Sequence, residues 1–366
     1  MTKYLSGVRR IWAAFKYKGF RYAWNYLHFH LFWYTRHPLI TKILYLLDSY
    51  PQYLEVEVTT RCNLRCIQCE HTYWHEPGID MPFDKFKHII DQFPRLKWIG
   101  LTGIGESFMH KDFLNMLEYV KKKHAIVELF DTFYFIDETV ARRLIEINIE
   151  NFFVSLDGAT KETYEALRVG SDFKRVTENV RTFFRIKKEM GSFFPEMNFH
   201  YIINKLNCGE VSRYVELVAE LSGARPSGGD DVTIFFSQML HRFKESDELF
   251  IKVPEETIAE AIEAGKRHGV KITWNPDVPT DKPPMNNCVE WTMPFIFATG
   301  DVIPCCSGNE ANRRDFQRET ALGNIFTQSF KEIWRGQRYK NLKTMLKTGQ
   351  CPPPCSNCCV YKSCSS

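Results

Sequence analysis

The sequence predicts an α/β protein in three parts: a helical N-terminal extension, a parallel β/α domain and a small cysteine-rich C-terminal domain. Three observations predict this arrangement. From Pro51 to about Asn275, strand-like apolar runs alternate with amphipathic helix-like runs. The residues before Pro51 are basic and aromatic, and those from about Asp277 are rich in proline and cysteine. The predicted boundaries are therefore 1–50, 51–276 and 277–366.

The N-terminal extension carries eight Lys or Arg residues against one acid, Asp48, in a chain of net charge +4. Its apolar residues recur at helical spacing, as in Val8, Trp12 and Phe15. Basic residues interleaved with aromatic ones are typical of helices that lie in a membrane interface. The alternative is that these helices simply pack on the β/α domain. No apolar run reaches the ~18 residues that span a bilayer, and no nucleic-acid-binding motif accompanies the charge, so we expect no nucleic acid partner.

The β/α domain is predicted from alternating segments whose periodicity changes from strand to helix. Between the predicted strands lie amphipathic runs with apolar residues at steps of 3 and 4, for example Phe173, Val176 and Val180. This order is typical of a parallel sheet covered by helices. The predicted strands are residues 54–60, 97–102, 125–130, 151–156, 197–203, 232–236 and 270–274.

The 12 cysteines are clustered rather than scattered. Three lie at positions 62–69 and eight between Cys288 and Cys364. The chain begins without the order of regions that marks a signal peptide, so we expect a reducing cytoplasm, with membrane association left open, and metal ligation rather than disulfides.

Cys62, Cys66 and Cys69 form a C-x3-C-x2-C triplet directly after the first predicted strand. Three thiolates spaced in this way can hold three corners of a cubane 4Fe-4S cluster and leave the fourth iron open. A structural zinc site is the alternative, with His71 and His75 as the nearest additional ligands.

This triplet resembles the signature of the radical S-adenosylmethionine (radical SAM) superfamily. The resemblance implies a partial (β/α)6 TIM-like barrel whose chemistry lies at the carboxyl ends of the strands. It also implies that SAM binds the open iron and that its reductive cleavage releases a 5'-deoxyadenosyl radical, which removes a hydrogen atom from the substrate. The electron would come from a donor such as flavodoxin or ferredoxin.

The segment after the second strand, Thr102–Ser107, resembles the family's Gly-Gly-Glu-Pro motif with one residue inserted between the glycines and serine in place of proline. Gly103 and Gly105 permit close approach of the backbone to a ligand. Glu106 is then expected to accept hydrogen bonds from the cationic amino group of SAM.

The region from the fourth predicted strand onward resembles that of radical SAM enzymes with a C-terminal extension. By this resemblance Ser155 and Arg168 bind the carboxylate or the ribose of SAM. Asp157 either belongs to this group or caps the following helix. Gln68 stands where the family often has an aromatic residue, and the third strand ends with Asp131 and Thr132 rather than the usual Thr-Asn-Gly, so the adenine contacts are left unassigned.

The C-terminal cysteines begin with Cys288, Gly300 and Cys305 in a C-x11-G-x4-C pattern. This arrangement resembles the SPASM/twitch domain, which implies one auxiliary 4Fe-4S cluster held by Cys288, Cys305, Cys355 and Cys358. Two auxiliary clusters, or a zinc knuckle, are the alternatives. The further thiols available for a second cluster are Cys306, Cys351, Cys359 and Cys364.

The resemblance implies oxidation or bond formation if the auxiliary cluster takes an electron from the substrate radical, and epimerisation if a thiol returns a hydrogen atom. Cys306 and Cys208 are the candidate thiols. Because the N-terminal extension is basic and aromatic, we expect a small-molecule or lipid/sugar-type substrate. A peptide-modifying or enzyme-maturing activity is the alternative within the enzyme class, and a non-catalytic metal-binding scaffold is the alternative outside it.

Overall fold

The computed structural model describes residues 2–226, 232–239, 243–275, 282–308, 313–356, 358 and 360–362. The predicted boundary at 276/277 and two of the additional thiols, Cys359 and Cys364, lie outside these residues.

Twelve strands are found in the described part of the chain, and ten of them form one sheet. The remaining two, β2 and β6, form a short antiparallel ribbon. The strands are β1 Tyr53–Val56, β2 Arg65–Cys66, β3 Trp98–Leu101, β4 Ile126–Asp131, β5 Asn151–Ser155, β6 Arg168–Val169, β7 Glu196–Ile203, β8 Thr233–Gln238, β9 Lys271–Asn275, β10 Phe295–Ile296, β11 Asp301–Ile303 and β12 Gly323–Asn324.

Seven of the thirteen α-helices of the described residues lie between β1 and β9 and alternate with the long strands. The thirteen helices are α1 Thr2–Lys18, α2 Phe20–Phe29, α3 Pro38–Leu47, α4 Phe83–Asp91, α5 Phe113–Lys121, α6 Glu138–Ile147, α7 Lys161–Leu167, α8 Phe173–Glu189, α9 Val211–Ser222, α10 Glu255–His268, α11 Arg314–Thr320, α12 Phe330–Arg335 and α13 Gln337–Lys347. None is long and apolar enough to cross a membrane.

The large sheet has the order β12-β11-β10-β1-β3-β4-β5-β7-β8-β9. The seven strands from β1 to β9 are parallel, and six of them are followed by helices before the next begins. All seven predicted strands are present, and the predicted partial (β/α)6 barrel is confirmed. The seventh strand, β9, is the last of the parallel strands and lies at the edge of the sheet.

The two faces of the parallel strands differ in chemistry. Val56, Leu129 and Phe199 point to one face and are buried under the surrounding helices in a single apolar core. Since side chains alternate along a strand, Glu55, Glu128 and His200 point to the opposite, concave face. Polar residues on this inner face are what a barrel with a central site requires.

The N-terminal helices close the amino-terminal end of the barrel. Phe29 in α2 stacks on Trp98, the first residue of β3, with ring centroids 4.0 Å apart. Tyr26 packs edge-on against the same ring at 5.8 Å. Tyr53 and Ile126, the first residues of β1 and β4, are buried in the same cluster. The interpretation that residues 1–50 pack on the catalytic domain is therefore correct for this face of the helices.

Buried ion pairs fasten the same helices to the loops at this end. Lys18 Nζ donates to Glu150 Oε1 at 2.5 Å, and Lys121 contacts the same oxygen. Glu150 Oε2 also accepts the backbone N–H of Val127 at 2.8 Å. Burial lowers the pKa of Lys18 to about 7, despite the neighbouring Glu150. One fully buried carboxylate thus joins α1, α5 and β4.

The C-terminal part extends the barrel sheet rather than forming a separate one. β10 pairs in parallel with β1, and β11 and β12 follow as antiparallel strands. Arg314 at the start of α11 donates to Glu57 Oε2 at 2.8 Å, and both side chains are buried. The backbone N–H groups of Ile104 and Ala298 donate to the same carboxylate. Burial raises the pKa of Glu57, with the Arg314 guanidinium opposing the rise.

Replacing Glu150 tests the buried connection at the barrel base. Glu150→Gln leaves Lys18 and Lys121 without a countercharge, and removal of one partner of a buried ion pair typically costs about 3 kcal/mol or more. We expect a clear fall in the urea midpoint of the full chain, followed by circular dichroism. Glu263→Gln, at an exposed pair with Lys266, is the matched control and should leave the midpoint unchanged. Equal midpoints for both variants would contradict the assignment.

Candidate active site

The cysteine triplet lies in the segment that follows β1, at the carboxyl end of the barrel. Cys66 is in β2, where it pairs directly with Arg168 of β6. The N–H of Ile67 donates to the carbonyl of Leu167 at 2.9 Å, and Thr72 Oγ1 donates to the carbonyl of Cys66 at 2.7 Å. The loop is thus tied to the turn between α7 and α8.

The three thiols are close enough to influence one another's ionisation. Burial raises the pKa of Cys62 to about 11 and that of Cys66 to about 12; Cys69 adds to both shifts, and Cys62 adds to that of Cys66. Burial likewise raises the pKa of Cys69. Because thiolates are the ligands of iron, a cationic cluster is needed to offset this cost. No three His, Cys, Asp or Glu side chains of the described residues converge as ligands of one metal ion do.

Glu106 is buried at 4% exposure beside this loop and accepts a hydrogen bond from Thr132 Oγ1 at 2.7 Å. It lies close enough to Cys62 to raise that thiol's pKa. Asp131, at the end of β4, is its neighbour, and burial together with Glu106 raises the pKa of Asp131 well above its ordinary value. Asp131 Oδ2 is buried without a hydrogen-bond donor. Two carboxyl groups, one lacking a donor, suit a cationic amino group.

The two glycines of this segment are required by packing between strand ends. A Cβ on Gly105 would lie 2.3 Å from the carbonyl oxygen of Thr59 and 2.8 Å from that of Arg61. A Cβ on Gly103 would lie 2.5 Å from Glu57 Cγ. At both glycines, neighbouring parts of the chain therefore occupy the position that a Cβ would take. A contact of Gly103 or Gly105 with SAM stays a prediction.

Asp157 is fully buried and holds Arg168 in place. Arg168 donates to Asp157 Oδ2 through Nε at 2.9 Å and through Nη2 at 2.5 Å. Gln68, the residue before the third cysteine, donates to the same oxygen at 3.0 Å, and the N–H of Ile202 donates to Oδ1 at 2.8 Å. Burial lowers the pKa of Arg168, but the Asp157 and Cys66 charges raise it above its ordinary value.

Asp157 therefore does not cap the following helix, but accepts hydrogen bonds from Arg168 and Gln68. Thr160 is the N-cap of α7, because its side chain accepts the N–H of Thr163. Ser155, half-buried at the end of β5, pairs in register with His200 of β7. His200 Nε2 lies 2.9 Å from Ser237 Oγ, and burial lowers its pKa.

Further carboxyl groups lie on the concave face. Burial raises the pKa of Glu55 to about 8 and that of Glu128 to about 7. Glu55 Oε2 is buried without a donor. Cys306 lies beside Glu55 and is exposed to solvent. Of the two candidate hydrogen-donating thiols, Cys306 is thus near the inner face, whereas Cys208 packs against the outer core.

The predicted auxiliary ligands lie near one another on separate segments of the C-terminal domain. Cys288 and Cys305 are close enough to Cys355 for their pKa values, already raised by burial, to rise further. Burial, and then the neighbouring Cys358 and Cys351, raise the pKa of Cys355 to about 12. Cys305 and Cys358 line one cavity. The four predicted residues and Cys351 thus lie in one region of the C-terminal domain, and the choice of these thiols as cluster ligands stays a prediction.

Family models identify the chain. A model of the radical SAM superfamily matches residues 56–204, and a model of the SPASM iron–sulfur cluster-binding domain matches residues 288–359. The chain belongs to the radical SAM superfamily. It carries a SPASM domain, and its cofactors are SAM, the 4Fe-4S cluster that binds SAM, and auxiliary iron–sulfur chemistry in the C-terminal domain.

Two curated relatives show the extent of similarity. The tungsten-containing aldehyde ferredoxin oxidoreductase cofactor-modifying protein of Pyrococcus furiosus is 24% identical over 86% of this chain and 88% of its own. The mycofactocin maturase MftC of Mycobacterium ulcerans is 28% identical over 53% of each chain. The chain thus spans about half the length of that maturase.

Solved structures share the fold. Streptococcus suis SuiB bound to precursor peptide SuiA aligns with a TM-score of 0.64 at 13% identity, covering 89% of this chain and 78% of SuiB. Native anSMEcpe with bound AdoMet and Kp18Cys peptide aligns with a TM-score of 0.55 at 17% identity, covering 81% and 83% of the two chains. At these identities the likeness concerns the fold alone.

Several residues of the site were not singled out from the sequence. Asp131 and Thr132 were noted only as a departure from the family pattern, and Gln68 as a missing aromatic residue. Their position at a strand end, or next to a cysteine of the triplet, was the available signal. The pairing of Glu57 with Arg314 had no local signal, since the two residues are 257 positions apart.

Glu106 is tested by its effect on SAM binding. A hydrogen bond to a charged group is worth about 1.5–3 kcal/mol, so Glu106→Gln should weaken SAM binding about 10- to 100-fold. The measurement is the SAM dissociation constant of anaerobically reconstituted protein, with iron content as a check. Glu118→Gln, at an exposed pair with Arg143, is the control. Unchanged affinity with full iron content would contradict the role of Glu106.

Proposed function

We propose that the chain is a radical SAM enzyme that modifies a peptide or protein substrate, with the cysteine triplet holding the SAM-binding cluster. When bound, this cluster and SAM supply a 5'-deoxyadenosyl radical that removes a hydrogen atom from carbon, and the auxiliary cluster supplies one-electron exchange. The observation that carries the assignment of the SAM site is that Glu106 and Arg168 both lie close enough to Cys62 to act on its ionisation, at the carboxyl end of the barrel.

The chain's residues would divide the binding of SAM between two charged groups. Glu106, with Asp131 beside it, would hold the amino group. Arg168 would meet the carboxylate or the ribose with the donors that Asp157 does not occupy. Asp157 would act as a positioning residue, because it fixes the guanidinium and Gln68 without reaching the reacting atoms.

A cavity between the barrel and the SPASM domain supports a peptide substrate. It has a volume of about 180 Å³ and is lined by charged and aromatic side chains that include Glu57, Trp74 and Arg314. Pockets that enclose a complete small ligand usually measure about 300–1,000 Å³. The smaller cavity suits one side chain of a larger substrate. Two of the solved structures with this fold hold peptides.

The peptide proposal replaces the small-molecule or lipid/sugar-type substrate that the sequence favoured. That expectation rested on the basic, aromatic composition of residues 1–50. Those helices cover the amino-terminal end of the barrel, whereas Cys62 and Glu106 lie at the carboxyl end. The extension is therefore on the wrong side to deliver a substrate to SAM.

The cluster assignment predicts separable losses. A triple Cys62→Ala, Cys66→Ala, Cys69→Ala variant should produce no 5'-deoxyadenosine with dithionite and SAM, because no iron is left for SAM to bind. It should still retain auxiliary iron, measured with sulfide after anaerobic reconstitution. Replacing Cys208 with Ala is the control and should leave cleavage unchanged. Cleavage by the triple variant would contradict the assignment.

The substrate class is tested by deuterium transfer into 5'-deoxyadenosine. A uniformly deuterated cell extract is divided by ultrafiltration into peptides with proteins, and small molecules. We expect deuterium from the peptide and protein fraction. Deuterium from the small-molecule fraction alone would contradict a peptide substrate while leaving the radical SAM assignment intact.

A further inference from the structure

The outward face of the N-terminal helices carries an unusual share of exposed apolar side chains. Eleven of the fifteen large apolar residues exposed in the described chain lie between positions 8 and 47. We refer to these eleven as the base surface: Val8, Trp12, Phe15, Tyr17, Phe20, Trp24, Leu31, Tyr34, Leu39, Leu46 and Leu47. Trp12 and Phe20 are 58% and 72% exposed.

The helices that carry the base surface are packed firmly on the barrel by their other side. Each helix buries its opposite face against the barrel, through Ala14 in α1 and Ala23 and Phe29 in α2. Hydrogen bonds from Asn25 to the carbonyl of His124 and from Arg10 to Glu196 fix the orientation of these helices. The exposed aromatic residues are therefore presented outward by a rigid support.

Basic residues lie among these apolar side chains. Lys16 is over the rings of Trp12 and Tyr17, with Nζ 5.0 and 4.9 Å from their centroids. Arg21 and Lys42 are exposed on α2 and α3. The single acid of residues 1–50, Asp48, is paired with Lys343. Arg10, Lys18 and Arg36 pair with acids outside the extension. The positive charge at the base surface therefore comes from the exposed Lys16, Arg21 and Lys42.

We propose that the base surface docks the enzyme on an anionic membrane. Trp and Tyr favour the interface between headgroups and acyl chains, and each Lys or Arg near an anionic surface strengthens binding about fivefold. A protein partner would also cover an apolar face, but exposed Trp, Tyr and Lys side chains with no unpaired acid among residues 1–50 match the chemistry of phospholipid headgroups. Docking occurs by the amino-terminal end of the barrel, so Cys62, Cys66 and Cys69 face away from the lipid.

The inference is independent of the proposed function, since it needs neither cluster nor SAM. In this proposal, the basic, aromatic extension places the enzyme at the membrane surface. The carboxyl end of the barrel stays open to a peptide and to an electron donor.

Vesicle sedimentation of the full chain tests the proposal. We expect wild type to bind vesicles of phosphatidylcholine with phosphatidylglycerol at least tenfold more tightly than vesicles of phosphatidylcholine alone. Trp12→Glu with Phe20→Glu should weaken this binding at least tenfold. Leu206→Glu with Ile262→Glu is the matched control, because it places the same charge at two other exposed apolar residues and should leave binding within twofold.

A second variant tests the contribution of the basic residues separately from that of the apolar ones. It also keeps the proposal testable if the first variant fails to fold. Lys16→Glu with Lys42→Glu should also weaken binding to anionic vesicles at least tenfold, and circular dichroism checks that each variant folds. Three results would overturn the proposal: no binding of wild type to either vesicle, equal losses in the control pair, or a dimer that Trp12→Glu with Phe20→Glu dissolves while vesicle binding is absent. The last result would show that a second copy covers the base surface.

Discussion

The buried carboxylate of Asp157 is the interaction on which the arrangement of the site depends. It receives Arg168 from β6, Gln68 from the cysteine loop and the backbone of Ile202 from β7. Removing a charge from water is costly unless its partners replace the hydration, and here two side chains and one N–H do so. Because Arg168 is paired with Cys66 along the β2–β6 ribbon, the same carboxylate sets the position of the second cysteine.

The two ends of the barrel have different roles: the carboxyl end carries the candidate site, and the amino-terminal end is closed by packed helices. At the carboxyl ends of the strands, the loops carry thiols, carboxyl groups and a buried guanidinium, which is the usual division of labour in β/α barrels. At the amino-terminal end, Phe29 and Tyr26 fill the opening, and Glu150 ties the helices down. The SPASM domain attaches at the side, through β10 and the pairing of Glu57 with Arg314.

The fold was predictable because its signals are local. Seven apolar runs with intervening amphipathic segments were enough to predict seven strands. The spacing of Cys62, Cys66 and Cys69 was enough to predict a cluster that binds SAM. The carboxyl neighbour of Glu106 was harder to predict, since Asp131 is recognised only once β3 and β4 lie side by side. The packing of residues 1–50 was left open for the same reason: amphipathic spacing shows that a helix has an apolar face but not what covers it. Here Trp98 covers Phe29, whereas Trp12 on the outer side is exposed.

Electron paramagnetic resonance of the reconstituted, dithionite-reduced protein tests the central claim most directly, with wild type compared with Asp157→Asn. We expect SAM to change the signal of one cluster in wild type and to leave the auxiliary signal unaltered. In Asp157→Asn the auxiliary signal should persist, as a sign that the chain is folded, while the change on adding SAM is lost. An undiminished response to SAM in Asp157→Asn would contradict the positioning role of Asp157, and no response in wild type would contradict the assignment of the cysteine triplet.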